Sequence, residues 1–338
     1  MIAAADPRVG VVGRTARTRD RALRVGYPGV TFRLRFEGSS LGVRVESTSE
    51  HSYLMVSVDG QTPRMLKLSG SVQELSLASG LGAGEHEVEV LHATETWLGI
   101  VTIHAWILPR SGQLLSARPA SERRLLVIGD SVSSGEAVKR TADCVKDSSW
   151  WDPANSYGMV LARALHAEVE LVCYGGRGLL RDWQGRQDVL NAPQFFELAV
   201  PDPEQAEAWE HARSVPDFVL VSLGTNDFNL GLGPLPAEAE FVSRYVQFVR
   251  RIREVYPQTQ VWLTAGAMVN DDADPARPQR SVLNAYLART VRELHDAAVG
   301  VAESSHFPGD ACDAHPTRAQ HAQMAAQLLP QVRRILSW

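Results

Sequence analysis

The sequence predicts two domains: an all-β jelly roll or β-sandwich, followed by a three-layer α/β domain with a five-stranded parallel sheet. Three observations predict this division. The chain of 338 residues exceeds the usual size of one domain. Up to residue 115 the periodic segments are strand-like, and from residue 124 onward buried strands alternate with helices. We therefore expect the sandwich at residues 1–115, a linker at 116–123 and the α/β domain at 124–338.

Short apolar runs separated by glycine and polar turns predict the strands of the first domain. Phe32, Leu34 and Phe36 alternate with polar residues, which is typical of a half-buried antiparallel strand. A second run, residues 54–58, ends at the turn Asp59-Gly60. Further runs cover residues 42–46, 65–68, 85–91 and 99–108. Together with weaker runs, about eight strands are expected, as a sandwich requires.

The polar side chains of this first domain form no catalytic pattern, so we expect it to bind or to pack rather than to react. Tyr53, Trp97 and Trp106 carry rings that are able to stack on a sugar. Single aromatic residues in strands more often lie in the core, and we expect that role for these three.

The second domain is predicted from its alternation of strands and helices. A segment rich in proline, serine and arginine, residues 109–123, precedes it without periodicity, as a domain junction does. Five strands separated by helices predict a parallel sheet covered on both faces, with catalytic residues in the loops that follow the strands. Strands are expected at residues 125–129, 168–173, 218–223, 260–265 and 300–303, and helices at 156–166, within 203–213, at 237–256, at 281–298 and from 317.

Composition and charge exclude several classes of partner. The net charge is −5, with 34 basic and 39 acidic residues intermingled, so no field favours nucleic acid or an anionic membrane. No run approaches the roughly 20 apolar residues of a membrane helix. The first residues lack the pattern of a secretion signal, so the protein is either cytoplasmic or has lost a leader. The three cysteines have no metal-binding spacing and are too few to build a fold, and they leave the redox compartment open.

Ser131 is the candidate nucleophile. It follows the apolar run of residues 125–129 in the tight turn Gly129-Asp130-Ser131, at the end of a predicted buried strand. A serine there points its hydroxyl into a cleft, and its own N–H faces a developing oxyanion. The competing interpretation is that Asp130 and Ser131 only cap a helix. These residues alone do not decide between the two.

Three more strand-end loops carry polar groups of matching chemistry. The second strand is followed by a glycine-rich loop in which Gly176 offers its N–H to an oxyanion, although such glycines also simply permit sharp turns. After the third strand, Asn226 offers a neutral amide donor, with an Asx turn as the alternative. After the fifth strand comes His315, followed by Pro316 and a helix. Four such loops in one domain favour a catalytic site.

These four motifs resemble the SGNH-hydrolase (GDSL-like esterase) superfamily. Its marker residues occur in order as Ser131, Gly176, Asn226 and His315, over residues 124–338. Together with the β domain in front, the stretches at residues 175–183 and 312–316 resemble carbohydrate esterase family two. The resemblance implies a flavodoxin-like SGNH hydrolase domain joined to a jelly roll, in a secreted or periplasmic enzyme that removes acetyl groups from polysaccharides.

The resemblance also implies a mechanism. Ser131 attacks the acetyl carbonyl while His315 takes its proton and later returns it to the sugar oxygen. The oxyanion hole consists of the N–H groups of Ser131 and Gly176 and the amide of Asn226. No metal and no cofactor is required, and the partner is an acetylated carbohydrate such as a xylan, mannan or glucan.

The sequence departs from the superfamily pattern beside the histidine. The usual orienting aspartate, three residues upstream, is replaced by Cys312, and the nearest acid is Asp313, two residues upstream. In an extended segment a shift of one residue turns a side chain to the other face. Asp313 is therefore a doubtful third member, and we expect a Ser131–His315 dyad with a backbone carbonyl orienting the ring. Gly175 and Asp182 also differ from the residues more usual in family two.

Candidate substrate contacts follow from the loops around Ser131. Trp183 either stacks on a pyranose or fills the base of the glycine loop, and Arg177 either anchors that loop or touches hydroxyls. Trp151, with Trp150, is expected to form another wall. If the loops of Cys144 and Cys312 meet over the cleft, a disulfide would join them and indicate an oxidising compartment.

Two other functions remain open at this point. One is a GDSL-type esterase or lipase that acts on other acyl esters. The other is a carbohydrate-binding protein whose catalytic site is vestigial.

Overall fold

The computed structural model describes residues 1–338, and the chain forms two facing antiparallel sheets followed by a parallel sheet between helices. The strands are β1 Ile2–Ala3, β2 Gly10–Val12, β3 Ala16–Arg17, β4 Leu23–Val25, β5 Thr31–Glu37, β6 Leu41–Ser47, β7 Tyr53–Val58, β8 Arg64–Lys67, β9 Gln73–Ala78, β10 Glu85–His92, β11 Val101–Ile107, β12 Gln113–Leu115, β13 Arg124–Gly129, β14 Glu168–Cys173, β15 Leu198–Val200, β16 Glu207–Ala208, β17 Phe218–Leu223, β18 Gln260–Ala265 and β19 Val299–Val301. The helices are α1 Ser131–Ser134, α2 Tyr157–Leu165, α3 Ala192–Phe195, α4 Glu238–Val255, α5 Gln279–Leu294 and α6 Arg318–Leu336.

The first twelve strands form the expected β-sandwich. One sheet has the order β3-β4-β11-β6-β9 with β1 added on β11, and the other has the order β12-β5-β10-β7-β8 with β2 added on β5. Burial alternates along the longer strands, so one face of each sheet supplies the core. Phe32 and Trp106 meet in that core with ring centroids 5.4 Å apart.

The second sheet system is parallel and has the order β14-β13-β17-β18-β19. In order along the chain these are strands 2-1-3-4-5, the flavodoxin-like arrangement expected for this domain. Helices α2 and α6 pack together on one face, and α4 and α5 pack on the other. All five strands therefore deliver their following loops to one edge of the sheet.

The two halves of the chain share one core. A cluster of 48 buried hydrophobic residues runs from the sandwich into the α/β half, so the two parts are packed rather than merely tethered. Tyr27 donates its hydroxyl hydrogen to the carbonyl of Phe195 at 2.5 Å, and Arg33 pairs with Glu168 at 2.5 Å. Between β12 and β13, residues 116–123 carry no helix or strand. Their assignment as a domain linker stays a prediction.

Two local expectations are wrong, and strand β9 is not among the predicted runs. No α-helix forms within residues 203–213, because β15 pairs with β16 there and Trp209 packs against the sandwich residues Ala16 and Ile100. Trp97 is not a core residue, since 52% of its side chain is exposed, whereas Trp106 is fully buried as expected. The strand β9 was also missed, because its residues alternate between intermediate and exposed positions over most of its length.

Candidate active site

The parallel sheet brings Ser131 and His315 together at the carboxyl ends of its strands. Ser131 follows β13 and opens α1, while His315 lies in the segment between β19 and α6. Nε2 of His315 is 2.9 Å from Oγ of Ser131, which is hydrogen-bond distance. The expected pairing of hydroxyl and imidazole is therefore present across 184 residues of sequence.

The turn Gly129-Asp130-Ser131 caps a helix and also places the Ser131 hydroxyl beside His315. Asp130 caps α1, since its Oδ1 accepts the N–H of Val132 at 3.0 Å. Burial raises the pKa of the Asp130 carboxyl to about 6. Ser134 donates its hydroxyl hydrogen back to the Asp130 carbonyl at 3.1 Å. The cap fixes the short helix, and the helix aims the Ser131 hydroxyl at the imidazole.

Asp313 contacts Nδ1 of the imidazole, which corrects the expectation that a backbone carbonyl orients the ring. The segment is curled rather than extended: Asp310 Oδ1 accepts the N–H of Cys312 at 2.9 Å, and Asp313 Oδ1 accepts the N–H of His315 at 2.8 Å. This second turn folds the Asp313 side chain back onto the ring, with 2.6 Å between Oδ1 and Nδ1 of His315. The shift of one residue does not turn Asp313 away from the ring, because the segment is curled rather than extended.

The contacts fix one useful tautomer of the histidine. With its proton on Nδ1, the ring donates to Asp313 and Nε2 accepts the hydrogen of the Ser131 hydroxyl. Burial disfavours the charged ring, but the hydrogen bond to Asp313 and the charge of Glu136 outweigh burial and raise the pKa of His315 above its ordinary value. Burial alone would raise the pKa of Asp313, and hydrogen bonds from His315 and Lys146 instead lower it well below its usual range.

Gly176 and Asn226 lie on neighbouring loops of the same edge. The amide nitrogen of Asn226 donates one hydrogen to the carbonyl of Arg177 at 2.8 Å, which leaves its second hydrogen free. The backbone N–H of Gly176 donates to no group of the protein. Gly176 has φ +75°, and a Cβ there would lie 2.6 Å from the Trp183 ring. Only glycine fits this position.

Asp227 fixes the glycine loop to the loop of Asn226. Its buried carboxylate accepts three consecutive backbone N–H groups, those of Leu179, Leu180 and Arg181, at 2.9, 2.7 and 3.1 Å. The guanidinium of Arg181 donates back to the Asp227 carbonyl. The two loops that carry the candidate oxyanion donors are thereby held as one unit.

Glu95, from the β-sandwich, is a site residue that the sequence did not reveal. Its fully buried carboxylate accepts the N–H of Gly175 and the indole N–H of Trp151, the latter at 2.8 Å. A Cβ on Gly175 would lie 2.7 Å from that carboxylate, so the first domain presses directly on the glycine loop. Burial and the nearby charge of Glu136 raise the pKa of Glu95. Nothing in its local sequence marked Glu95.

The predicted substrate contacts take three different positions. Trp183 is 54% exposed and lies against Gly176. Arg177 is half-buried, with its guanidinium 4.9 Å from the ring centre of Tyr174 and 3.4 Å from Asp182, which is the anchoring role. Trp151 is 3% exposed and supports the exposed Trp97 edge to face at 5.6 Å. Trp151 is therefore a buried support rather than an open wall.

A second part of the site missed from the sequence lies on the loop after α1. Lys146 contacts Asp313 and Glu136, and Glu136 Oε2 is 3.5 Å from Nε2 of His315. The same loop is joined to the histidine segment by a disulfide between Cys144 and Cys312, as the sequence hypothesis required.

No group of three or more His, Cys, Asp or Glu side chains is placed to hold a metal ion. None of the helices combines the length and the apolar character needed to cross a lipid bilayer.

The fold and the site define a two-domain hydrolase of carboxylic esters with a serine, glycine, asparagine and histidine at its strand ends. Two family models match: "Carbohydrate esterase 2 N-terminal" over residues 11–117 and "GDSL-like Lipase/Acylhydrolase family" over residues 127–323. The chain belongs to the family two carbohydrate esterases. The family resemblance and the two-part fold predicted from the sequence are thereby confirmed.

Similar proteins support this assignment over the whole chain. An acetylxylan esterase / glucomannan deacetylase of Cellvibrio japonicus is 41% identical over 337 residues, which covers 100% of this chain and 91% of that protein. The structure of a family two carbohydrate esterase from Cellvibrio japonicus has a TM-score of 0.94 at 40% identity, covering 100% and 98% of the two chains. A Clostridium thermocellum family two esterase, solved with cellohexaose, shares the fold at 24% identity and a TM-score of 0.87, covering 98% and 99%.

Proposed function

We propose that this enzyme removes O-acetyl groups from polysaccharides or oligosaccharides of the xylan, mannan or glucan type, through an acetyl-enzyme on Ser131. The observation that carries the proposal is the contact of His315 with both Ser131, at 2.9 Å, and Asp313, at 2.6 Å. The full-length relative of Cellvibrio japonicus, an acetylxylan esterase / glucomannan deacetylase, supports the acetylated-glycan substrate.

The first half of the reaction forms the acetyl-enzyme. Oγ of Ser131 attacks the acetyl carbonyl carbon as its proton passes to Nε2 of His315. Asp313 holds the ring in the required tautomer and stabilises the imidazolium that forms. The bond between the carbonyl carbon and the sugar oxygen then breaks, and the Nε2 proton moves to that oxygen. The free sugar hydroxyl leaves, and the acetyl group stays on Ser131.

The second half releases acetate. His315 takes a proton from water as the water oxygen attacks the acetyl carbon, and the proton then returns to Oγ of Ser131. In both halves the carbonyl oxygen becomes an oxyanion. Its donors are the N–H groups of Ser131 and Gly176 and the free amide hydrogen of Asn226, and each such donor is typically worth roughly 2.7–4 kcal/mol.

The sugar is held by Trp183 beside these donors. Its indole is 54% exposed although it touches Gly176, so one face is free for a pyranose ring next to the oxyanion hole. Arg177 serves the loop rather than the sugar, because its charge is already paired with Asp182 and Tyr174.

We also propose that the enzyme works in an oxidising compartment, as a secreted or periplasmic protein. The Cys144–Cys312 disulfide supports this location, because disulfides form and persist there. Thiol titration of the unfolded, unreduced protein is expected to detect Cys173 alone. Three titratable thiols would contradict the bridge and the location together.

Acetate release from acetylated xylan, mannan and glucan oligosaccharides tests the function. The native enzyme is expected to release acetate from at least one of them. In Ser131→Ala the rate of acetate release is expected to fall by several orders of magnitude. Faster hydrolysis of octanoyl than of acetyl nitrophenyl ester would favour the esterase or lipase alternative. Glycan binding without any nitrophenol release from the acetyl ester would favour the vestigial site.

A further inference from the structure

Lys146 lies between two carboxylates that flank the catalytic histidine. Its Nζ is 2.7 Å from Oδ2 of Asp313 and 2.5 Å from Oε1 of Glu136. Asp313 contacts His315 through its other oxygen, Oδ1, and Glu136 reaches toward His315 with its other oxygen, Oε2. The ammonium group therefore holds the outer oxygen of each carboxylate while the inner oxygens face the ring.

We propose that Lys146 is a positioning residue of this esterase, which aligns Asp313 with the imidazole and restrains Glu136 from competing for the proton on Nε2. The inference rests on the proposed roles of Ser131 and His315 and goes beyond them.

The alignment of Asp313 follows from its hydrogen bonds. Rotation about its Cβ–Cγ bond would exchange the two oxygens, but Lys146 holds Oδ2 and the backbone N–H of His315 holds Oδ1. Both side chains of the ion pair are mostly withdrawn from water, with 32% of Lys146 and 12% of Asp313 exposed, so the pair is partly shielded from screening. Without Lys146 only the local turn would orient the carboxylate.

The restraint on Glu136 follows from its place at the reacting nitrogen. Its Oε2 lies 3.5 Å from Nε2, the same nitrogen that contacts Ser131 at 2.9 Å. Once the ring is protonated, an unpaired carboxylate there would attract the Nε2 proton and delay its transfer to the leaving sugar oxygen. Lys146 offsets the charge of Glu136 and binds the oxygen that points away from the ring.

The loop that carries Lys146 is itself fixed to the histidine segment. The Cys144–Cys312 disulfide lies two residues before Lys146 and one residue before Asp313. Arg140, on the same loop, pairs with Asp310 at 2.8 Å and donates to the carbonyl of His315. A lysine on a loop held in this way keeps its ammonium group at a defined distance from the Asp313 carboxylate.

Lys146→Met, Lys146→Arg and Glu136→Gln, assayed with 4-nitrophenyl acetate as a function of pH, test the proposal. The control is Lys139→Met, an exposed lysine of the same loop. The other charged or titratable groups that face His315 are unchanged in these four single variants, so they do not affect the comparison: Asp313, Asp130, Arg140 and His321.

Lys146→Met is expected to lower kcat about tenfold to a hundredfold with little change in KM, as a small misplacement of a catalytic group does. It is also expected to move the acidic limb of kcat/KM to higher pH by about one unit, because Glu136 then stabilises the imidazolium unopposed. Glu136→Gln is expected to move that limb to lower pH, and Lys146→Arg to restore most of kcat. In an Asp313→Ala background, Lys146→Met is expected to lower kcat by a smaller factor than it does in the native enzyme.

Three results would overturn the proposal. In the first, Lys146→Met has the same kcat and the same acidic limb of kcat/KM as Lys139→Met, and in the second it loses kcat without any shift of that limb. In the third, the losses of kcat in Lys146→Met and Asp313→Ala are fully additive. Should Lys146→Met not fold, Lys146→Gln takes its place, with the same expected loss of kcat and the same expected shift of the acidic limb. The proposed function fails separately, through full activity of Ser131→Ala.

Discussion

Removal of the Asp313 carboxylate is expected to cost far more than removal of an ordinary surface charge. Its Oδ1 accepts from Nδ1 of His315 at 2.6 Å, and 12% of the side chain is exposed. In Asp313→Asn the Lys146 ammonium binds the amide oxygen, so the amide NH₂ group turns toward Nδ1. The ring then carries its proton on Nε2, where it is unable to accept from Ser131.

The magnitude follows from that change of tautomer. The matching change in the Ser-His-Asp template lowers kcat by about 10⁴-fold, which corresponds to roughly 5.4 kcal/mol at 1.36 kcal/mol per tenfold change in rate. We expect a loss of about 10³- to 10⁴-fold here, because Arg140 still donates to the carbonyl of His315 although the N–H of His315 loses Oδ1 as its acceptor. Hydrolysis of 4-nitrophenyl acetate measures kcat, and circular dichroism and the melting temperature check the fold.

Asp20→Asn, which changes an exposed carboxylate in the sandwich, is the matched control and is expected to leave kcat unchanged. If kcat of a folded Asp313→Asn enzyme falls by less than about tenfold, Asp313 does not orient His315 during catalysis, because a carboxylate in that role contributes more than tenfold to kcat. The enzyme would then be a Ser131–His315 dyad despite the contact with Asp313.

Four further outcomes are expected. Trp183→Ala is expected to raise KM for acetylated oligosaccharides at least tenfold while KM for nitrophenyl acetate changes little, because stacking serves only the sugar. Glu95→Ala is expected to lower kcat for both substrates, because the N–H of Gly175 loses its acceptor; steady-state kinetics on the two substrates measure this. Cys144→Ser with Cys312→Ser is expected to lower the melting temperature and kcat together, since the bridge closes a loop of 168 residues beside Lys146 and Asp313; calorimetry and the same assay check it. Activity is expected to fall as the pH drops through the raised pKa of His315, because the base must be neutral to accept the Ser131 proton; an acidic limb below the ordinary histidine pKa would contradict this sign.

The sequence predicted those parts of the fold whose signals are local. The mainly apolar segments 168–173, 218–223 and 260–265 match β14, β17 and β18 end for end, because strands of a parallel sheet that is covered on both faces are rich in apolar residues. The prediction of a helix within residues 203–213 was wrong because the structure of that segment does not depend on local signals. That segment is set by the pairing of β15 with β16 and by the packing of Trp209 on the sandwich, neither of which is a local signal.

The candidate site divides in the same way. Ser131, Gly176, Asn226 and His315 were predicted, because each follows a strand of a parallel sheet and such loops meet at one edge. Asp313 was misjudged, since the hydrogen bonds that curl its segment involve its own side chain and that of Asp310.

Glu95 and Lys146 were missed for a different reason. Glu95 reaches the glycine loop from another domain, and Lys146 reaches Asp313 across 167 residues of sequence. Neither contact leaves a pattern in the residues that surround it. Long-range support of a site is therefore visible only in the three-dimensional structure, whereas the candidate reacting groups are predicted from the strand ends.

The identity of the residue that carries the acetyl group tests the proposed role of Ser131. Enzyme mixed rapidly with 4-nitrophenyl acetate and quenched in acid, followed by peptide mass spectrometry, locates the covalent intermediate. We predict one acetyl group on the peptide of Ser131 in the native enzyme and none in Ser131→Ala. An acetyl group on a different residue, or turnover by Ser131→Ala at the native rate, would contradict the central claim.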